Sequence, residues 1–268
     1  MHKRSLVLLA AAAAGCSSPA RGAPAPWRRP VLVELYTSQG CSSCPPADTF
    51  VRQLPNLGFG RDKVVPLTFH VDYWDRLGWK DPFASGAHTE RQEWYARSGK
   101  LRSPDGAAGL DGLYTPQMIV DGSVQFSGQR RQTALHAMED AAARPAAFDV
   151  SVRVATRGSI VDVTVDSVPA EGVGPDRDWR LVAALAAKTA HTAVRRGENA
   201  GETLEEAAVV RALSDRVPIP ARRTSTRIQL ARPADLAWSD LDVVVFVQSE
   251  VTREIGGLAR SSASPPPR

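Results

Sequence analysis

Two thiols, Cys41 and Cys44, stand three residues apart in Val31-Leu-Val-Glu-Leu-Tyr-Thr-Ser-Gln-Gly-Cys41-Ser-Ser-Cys44-Pro-Pro-Ala-Asp48. A pair at that spacing suits disulfide exchange, a fixed bridge, or half of a metal site. The flanking residues say how such a pair is held. Val31 to Leu35 is β-favouring and mostly apolar, as a buried strand is, and Thr37 to Gly40 breaks the run. Pro45 and Pro46 fit only near a helix start, and Ala47, Phe50, Val51 and Leu54 follow at helical spacing. A helix over 44–54 would put Cys41 at its first turn, where unpaired N–H groups and the helix dipole lower a thiol pKa below about 8.5. Cys41 is then the attacking sulfur and Cys44 the resolving one. Asp48 adds a carboxylate that would work against the thiolate if it lay close. Structural zinc would need two further ligands, and the third cysteine, Cys16, falls in the leader.

A second signal lies about seventy residues on. In Leu113-Tyr-Thr115-Pro116-Gln-Met-Ile-Val-Asp-Gly122 a proline directly precedes an apolar strand that ends in an Asp-Gly turn. In thioredoxin-like folds the X-Pro bond at such a place is cis and sits beside the dithiol, with the preceding residue, here Thr115, offering backbone groups to an extended substrate. The alternative is a trans proline at a strand start. The elements in between must bring the two motifs together: strands over 31–36, 64–71, 117–120 and 123–127, with helices over 44–54, 88–98 and 130–143. Glu34, on the strand leading to the thiols, is the candidate proton acceptor for Cys44, since a buried carboxyl has a raised pKa. Its other reading is a hydrogen-bonded structural carboxylate.

His70, Asp72, Tyr73, Trp74 and Asp75 close the second strand, at the carboxyl edge where α/β sheets place ligands. Of six Trp, four Tyr and seven Phe, seven fall between positions 69 and 95. They are candidates to wall a substrate pocket, Tyr73 and Trp74 foremost, or else ordinary core. His70 with Cys41 and Cys44 would suit a copper ion, against a satisfied structural histidine. Arg195-Arg-Gly-Glu-Asn-Ala-Gly201 is a glycine-bearing polar loop, read either as a fixed turn or as a cover over the thiol site.

From Phe148 onward the pattern is all-β, with Val150, Val152, Val154 and Val161, Val163, Val165 alternating with polar residues around Arg157-Gly158-Ser159. Further strands are expected over 179–187, 224–230 and 243–248, packing as a small sandwich. The chain thus divides into a leader and linker (1–30), a thioredoxin-like α/β domain (31–146), an all-β sandwich-like domain (147–258) and a disordered tail (259–268). His2 to Arg4 followed by the apolar run Leu6 to Ala14 reads as an export signal. Ala13-Ala14-Gly15-Cys16 has the small residues of a lipoprotein site, so Cys16 is a candidate for lipidation, the alternative being cleavage near Ala23 or Ala25. Five of the 33 basic residues fall in the first thirty positions, and 28 remain against 29 acidic ones. A near-neutral folded part argues against a nucleic-acid role.

The sequence resembles the bacterial secreted family DUF1223, a thioredoxin-like group of unknown function. The resemblance rests on Val33 to Asp48, His70-Val-Asp-Tyr-Trp-Asp75, Leu77-Gly-Trp-Lys-Asp-Pro-Phe83, Tyr114-Thr-Pro-Gln-Met118 and Arg196-Gly-Glu-Asn-Ala-Gly201. It implies a thioredoxin-like fold with a β-rich C-terminal part and hands over no substrate. One departure from the family pattern falls at Glu206-Ala207-Ala208, ahead of Val209-Val210, where a polar His or Asn is common. The expectation is an exported, periplasmic or envelope-bound thiol-disulfide oxidoreductase acting on an exported protein or small thiol without a dissociable cofactor. A copper-delivery module or a non-catalytic scaffold are the alternatives.

Overall fold

The computed structural model describes residues 26–104 and 112–263. Cys16 and the export and lipidation readings lie outside the described residues, as do the last five residues of the expected tail. The architecture is mixed α/β, mostly strand, with large sheets and few helices.

The N-terminal half supplies β1 (Val31–Thr37), α1 (Pro45–Gln53), β2 (Val64–His70), α2 (Gly86–Ala96), β3 (Gln117–Val120), β4 (Val124–Ser127) and α3 (Arg131–Ala142). Strand β1 is buried at every residue, because it pairs with β2 in parallel on one side and β3 antiparallel on the other and carries helices on both faces. One face, Val31, Val33 and Leu35, packs on Ala47, Phe50 and Val51 of α1 and on Ala134 and Met138 of α3. The opposite face, Leu32 and Tyr36, packs with Tyr95 of α2 and with Phe246 from the C-terminal half. That alternation decides below which side chains reach the thiols.

The C-terminal half supplies β5 (Phe148–Arg157), β6 (Ile160–Pro169), β7 (Trp179–Ala193), β8 (Thr203–Leu213), β9 (Val217–Pro218), β10 (Thr224–Ala231), β11 (Leu241–Ser249) and β12 (Ile255–Ser262). Among the described residues one sheet runs β12-β11-β7-β8-β2-β1-β3-β4, with β9 beside β7, and a second runs β10-β6-β5. The small sheet lies over the C-terminal part of the large one, with Val161, Val163 and Ile228 meeting Leu181, Leu185 and Val245. The segments 31–146 and 147–258 therefore share a sheet, joined where β2 and β8 pair in parallel at Thr68 and Val209. Pro66 on β2 has no N–H to donate, and Ala208 on β8 has a positive φ of 55°. The seam is short as a result, reinforced by Thr68 Oγ1 donating to the Ala207 carbonyl at 2.8 Å. β8 and β12 are strands the sequence pattern does not mark, and β12 takes up residues 259–262 of the expected tail. Among the described residues no helix is long and apolar enough to cross a membrane.

Candidate functional site

The dithiol segment is a tight turn closed by backbone bonds, with Cys41 N donating to Ser38 O at 3.1 Å and Cys44 N to Cys41 O at 3.2 Å. Cys44 is the N-cap of α1, and Pro45 and Pro46 occupy its first positions, where no N–H is missed. Cys41 thus precedes the helix instead of standing in its first turn, which corrects the placement expected from the proline pair. The two cysteines form a disulfide, with Cα atoms 5.5 Å apart, and both are 0% exposed. The β7–β8 hairpin tip ties down this segment. Asn199 Nδ2 donates to the carbonyls of Gln39 (2.9 Å) and Cys41 (3.0 Å), and Ser42 N donates to Glu198 Oε2 at 2.9 Å. Gly197, at φ 80°, stands where a Cβ would lie 4.0 Å from Gly40 Cα and 3.1 Å from Trp79 Cβ.

Under the turn sits a buried polar cluster: Asp48 from α1, His70 from β2, Asp81 from the insert and Glu206 from β8. His70 Nδ1 is 2.7 Å from Asp81 Oδ2, and its Nε2 faces Glu206 Oε1 at 3.8 Å, beyond hydrogen-bond reach. Gln39 links the cluster to the dithiol: its N–H donates to Asp81 at 2.8 Å, its Nε2 to Glu206 at 3.0 Å, and its Oε1 accepts from Trp79 Nε1 at 3.1 Å. Burial alone would lower the His70 pKa, but Asp81 beside it, helped by Glu206, raises it to about 9. Burial would likewise raise Asp81, yet the His70 charge holds it below the usual carboxylate range. Asp48 is pushed up to about 7, by burial first and then by Glu206, against His70 and a hydrogen bond from Thr37 Oγ1 at 3.1 Å. Glu206 is raised, mainly by burial.

The expected docking edge gathers around Trp74. The Thr115–Pro116 bond is cis. Thr115 Oγ1 accepts from Trp74 Nε1 at 2.8 Å, and a Cβ on Gly40 would lie 3.3 Å from Trp74 Cβ, so Trp74 spans from the dithiol turn to Thr115. Pro116 approaches α1 at Gly128, whose added Cβ would stand 2.9 Å from Ala47 Cβ and 3.2 Å from Pro116 Cβ. Tyr73 is further out, its hydroxyl donating to Gln92 Oε1 at 3.3 Å. The structure thus brings Cys41, Cys44, Thr115, Pro116 and Trp74 into one neighbourhood.

Glu34 is not brought there. It projects from the β1 face opposite α1, 0% exposed, where Arg91 Nε is 2.6 Å from Oε1 and the Tyr95 hydroxyl donates to Oε2 at 2.5 Å. Strand parity, which the sequence left ambiguous across an irregular turn, sends it to α2. Asp48 is the carboxyl on the thiol side, one helical turn after Cys44, with Asp48 N donating to Cys44 O at 3.2 Å. The spacing of four from Cys44 was its signal in the sequence. Asp81 and Gln39 carried none, because only the folded insert brings Asp81 to His70. Copper on Cys41, Cys44 and His70 does not fit this arrangement. The sulfurs are bonded to each other and His70 faces carboxylates on both nitrogens, and no group of three or more His, Cys, Asp or Glu among the described residues is placed to hold a metal ion.

The model of a family described as "Protein of unknown function (DUF1223)" matches residues 32–248. A structural-genomics protein of Agrobacterium tumefaciens is similar at 25% identity and a TM-score of 0.63, over 90% of this chain and 97% of that one. HBP35 of Porphyromonas gingivalis is similar at 14% identity and a TM-score of 0.61, over 89% of this chain and 76% of that one, a likeness of fold alone. No curated protein matches the sequence.

Proposed function

Because the chain belongs to the DUF1223 family, whose members share no assigned reaction, we propose from the site itself that this protein is a thioredoxin-like thiol-disulfide exchange protein of an extracytoplasmic, oxidising compartment. The observation that carries the reading is the Cys41–Cys44 disulfide at the start of α1 with the cis Pro116 close by, both Pro116 and Ala47 of that helix facing Gly128. The run Leu6 to Ala14 after His2 to Arg4 supports export, and export supports an oxidised pair. An exported protein or a small thiol would be the partner.

In the exchange, a partner thiolate attacks Cys41 Sγ, a mixed disulfide forms, and the Cys41–Cys44 bond breaks with its electron pair on Cys44 Sγ. Asp48, its pKa pushed up to about 7, gives a proton to that thiolate and takes it back when the bridge re-forms. A second thiolate then attacks the partner sulfur, leaving Cys41 as thiolate and moving two electrons to the protein. The reverse sequence reduces a partner disulfide, and the reduction potential sets which runs.

One observation favours a second reading. The 0% exposure of Cys41 suits a bridge that only fixes the turn before α1. The decisive measurement pairs insulin reduction by wild type and Cys41→Ser with the potential of the dithiol. Exchange predicts turnover in wild type, none in Cys41→Ser, and a potential between about −120 and −270 mV. No turnover with a potential below about −300 mV would assign the bridge to structure.

A further inference from the structure

We propose that the β7–β8 hairpin tip is a gate over the disulfide, and that Glu198 and Asn199 are the specificity-determining residues that decide which thiols reach Cys41. The proposal rests on the exchange reading above. Its basis is the pattern of contacts at the tip. Asn199 donates to backbone of the turn, Gln39 C=O and Cys41 C=O, and Glu198 accepts from Ser42 N–H and from the Ser42 side chain. The three backbone bonds survive side-chain variation in the turn and close the approach to a sulfur that has no exposed surface. The tip can lift without unfolding the strands beneath it, because Glu198 itself is exposed and Gly197 and Gly201 both have positive φ, giving the tip glycine joints at each end.

Glu198 also acts by charge. Ser42 N–H is a backbone donor next to Cys41 and would favour a thiolate there, yet it is taken by the Glu198 carboxylate. That hydrogen bond, with the Ser42 side chain, holds Glu198 itself below its ordinary pKa, so it stays ionised over the working range. A closed tip therefore both covers Cys41 and places a negative charge beside the position where a thiolate must form. An open tip removes both.

Dithiothreitol tests the gate separately from exchange activity, since it reduces any disulfide it can reach. One of its thiolates attacks Cys41, Cys44 leaves as a thiolate that takes a proton, and its second sulfur closes the cyclic disulfide and releases Cys41. With a gate, the reduction rate of wild type levels off at high dithiothreitol, at the opening rate of the tip. Asn199→Asp keeps the volume but loses both donors, and raises that plateau by about tenfold or more. Glu198→Gln keeps the size and removes the charge; its plateau rises less, and the pH midpoint of Cys41 alkylation in the reduced protein falls. Far-UV circular dichroism and melting of the oxidised variants check that they fold, and Glu198→Gln carries the test if Asn199→Asp does not. A wild-type rate that stays linear in dithiothreitol and is unchanged in the folded variants overturns the gate. Gating without insulin turnover would instead leave a covered structural bridge, and turnover without gating an ungated exchange site.

Discussion

Asp48 is where a single side chain carries the most chemical information. Its folded pKa of about 7 lies above the ordinary 3.8, so the folded state holds the proton more tightly than the unfolded chain does. The stability this confers is complete below the ordinary carboxylate range and is lost as pH rises toward 7. Each pKa unit is worth about 1.4 kcal/mol. Asp48→Asn removes the titration, so its melting temperature relative to wild type should rise between pH 5 and pH 8, by the equivalent of about 2 kcal/mol. His70 loses its own contribution between 6.5 and about 9 in both proteins, so the comparison largely cancels it. A gap that stays constant with pH would mean that Asp48 is already ionised in the fold, and would remove it from the proton step.

At the scale of elements, the approach of β4 and the Pro116 segment to α1 is set by Gly128. Its hydrogen faces Ala47 Cβ, Leu35 Cδ1 and Pro116 Cβ, at 2.9, 3.1 and 3.2 Å from an added Cβ, and its N–H donates to Pro116 O at 2.8 Å. Gly128→Ala should cost about 1–3 kcal/mol by overpacking and change the rate of bridge reduction, since the added methyl pushes between Pro116 and the helix that carries Cys44. Gly158→Ala is the control. It sits at φ 58° in the β5–β6 turn with open space around it, so it should cost stability through backbone strain alone and leave the bridge untouched. Equal effects of the two on reduction rate would break the link between Pro116 and the thiols.

For the molecule as a whole, the buried site is shared between halves. Glu206 comes from β8, Asn199 from the hairpin tip, and Arg91 of α2 donates to Gln248 of β11 at 3.0 Å while it pairs with Glu34. Residues 26–146 expressed alone would expose Leu67, Phe69 and Tyr36 where Val210 and Phe246 now cover them, and would leave β2 as an open edge. We expect that fragment to show no cooperative melt by circular dichroism. A sharp transition would mean that the shared sheet is dispensable.

The string alone determined the local pieces. Proline placement after Cys44, the apolar run before Thr37, and Pro116 ahead of Gln117-Met-Ile-Val each act within a few residues, so the first strand, the helix start and the strand after Pro116 were legible there. So were the valine alternations of β5 and β6. Tertiary structure decided the rest, because it depended on parity and distance. One strand's alternation sent Glu34 away from the thiols to Arg91, while Asp48 came to the cluster of His70, Asp81 and Glu206 from an element far from theirs in sequence. Residues 39 and 206 meet only because β8 docks beside β2, and contacts between positions so far apart leave no periodic trace in sequence.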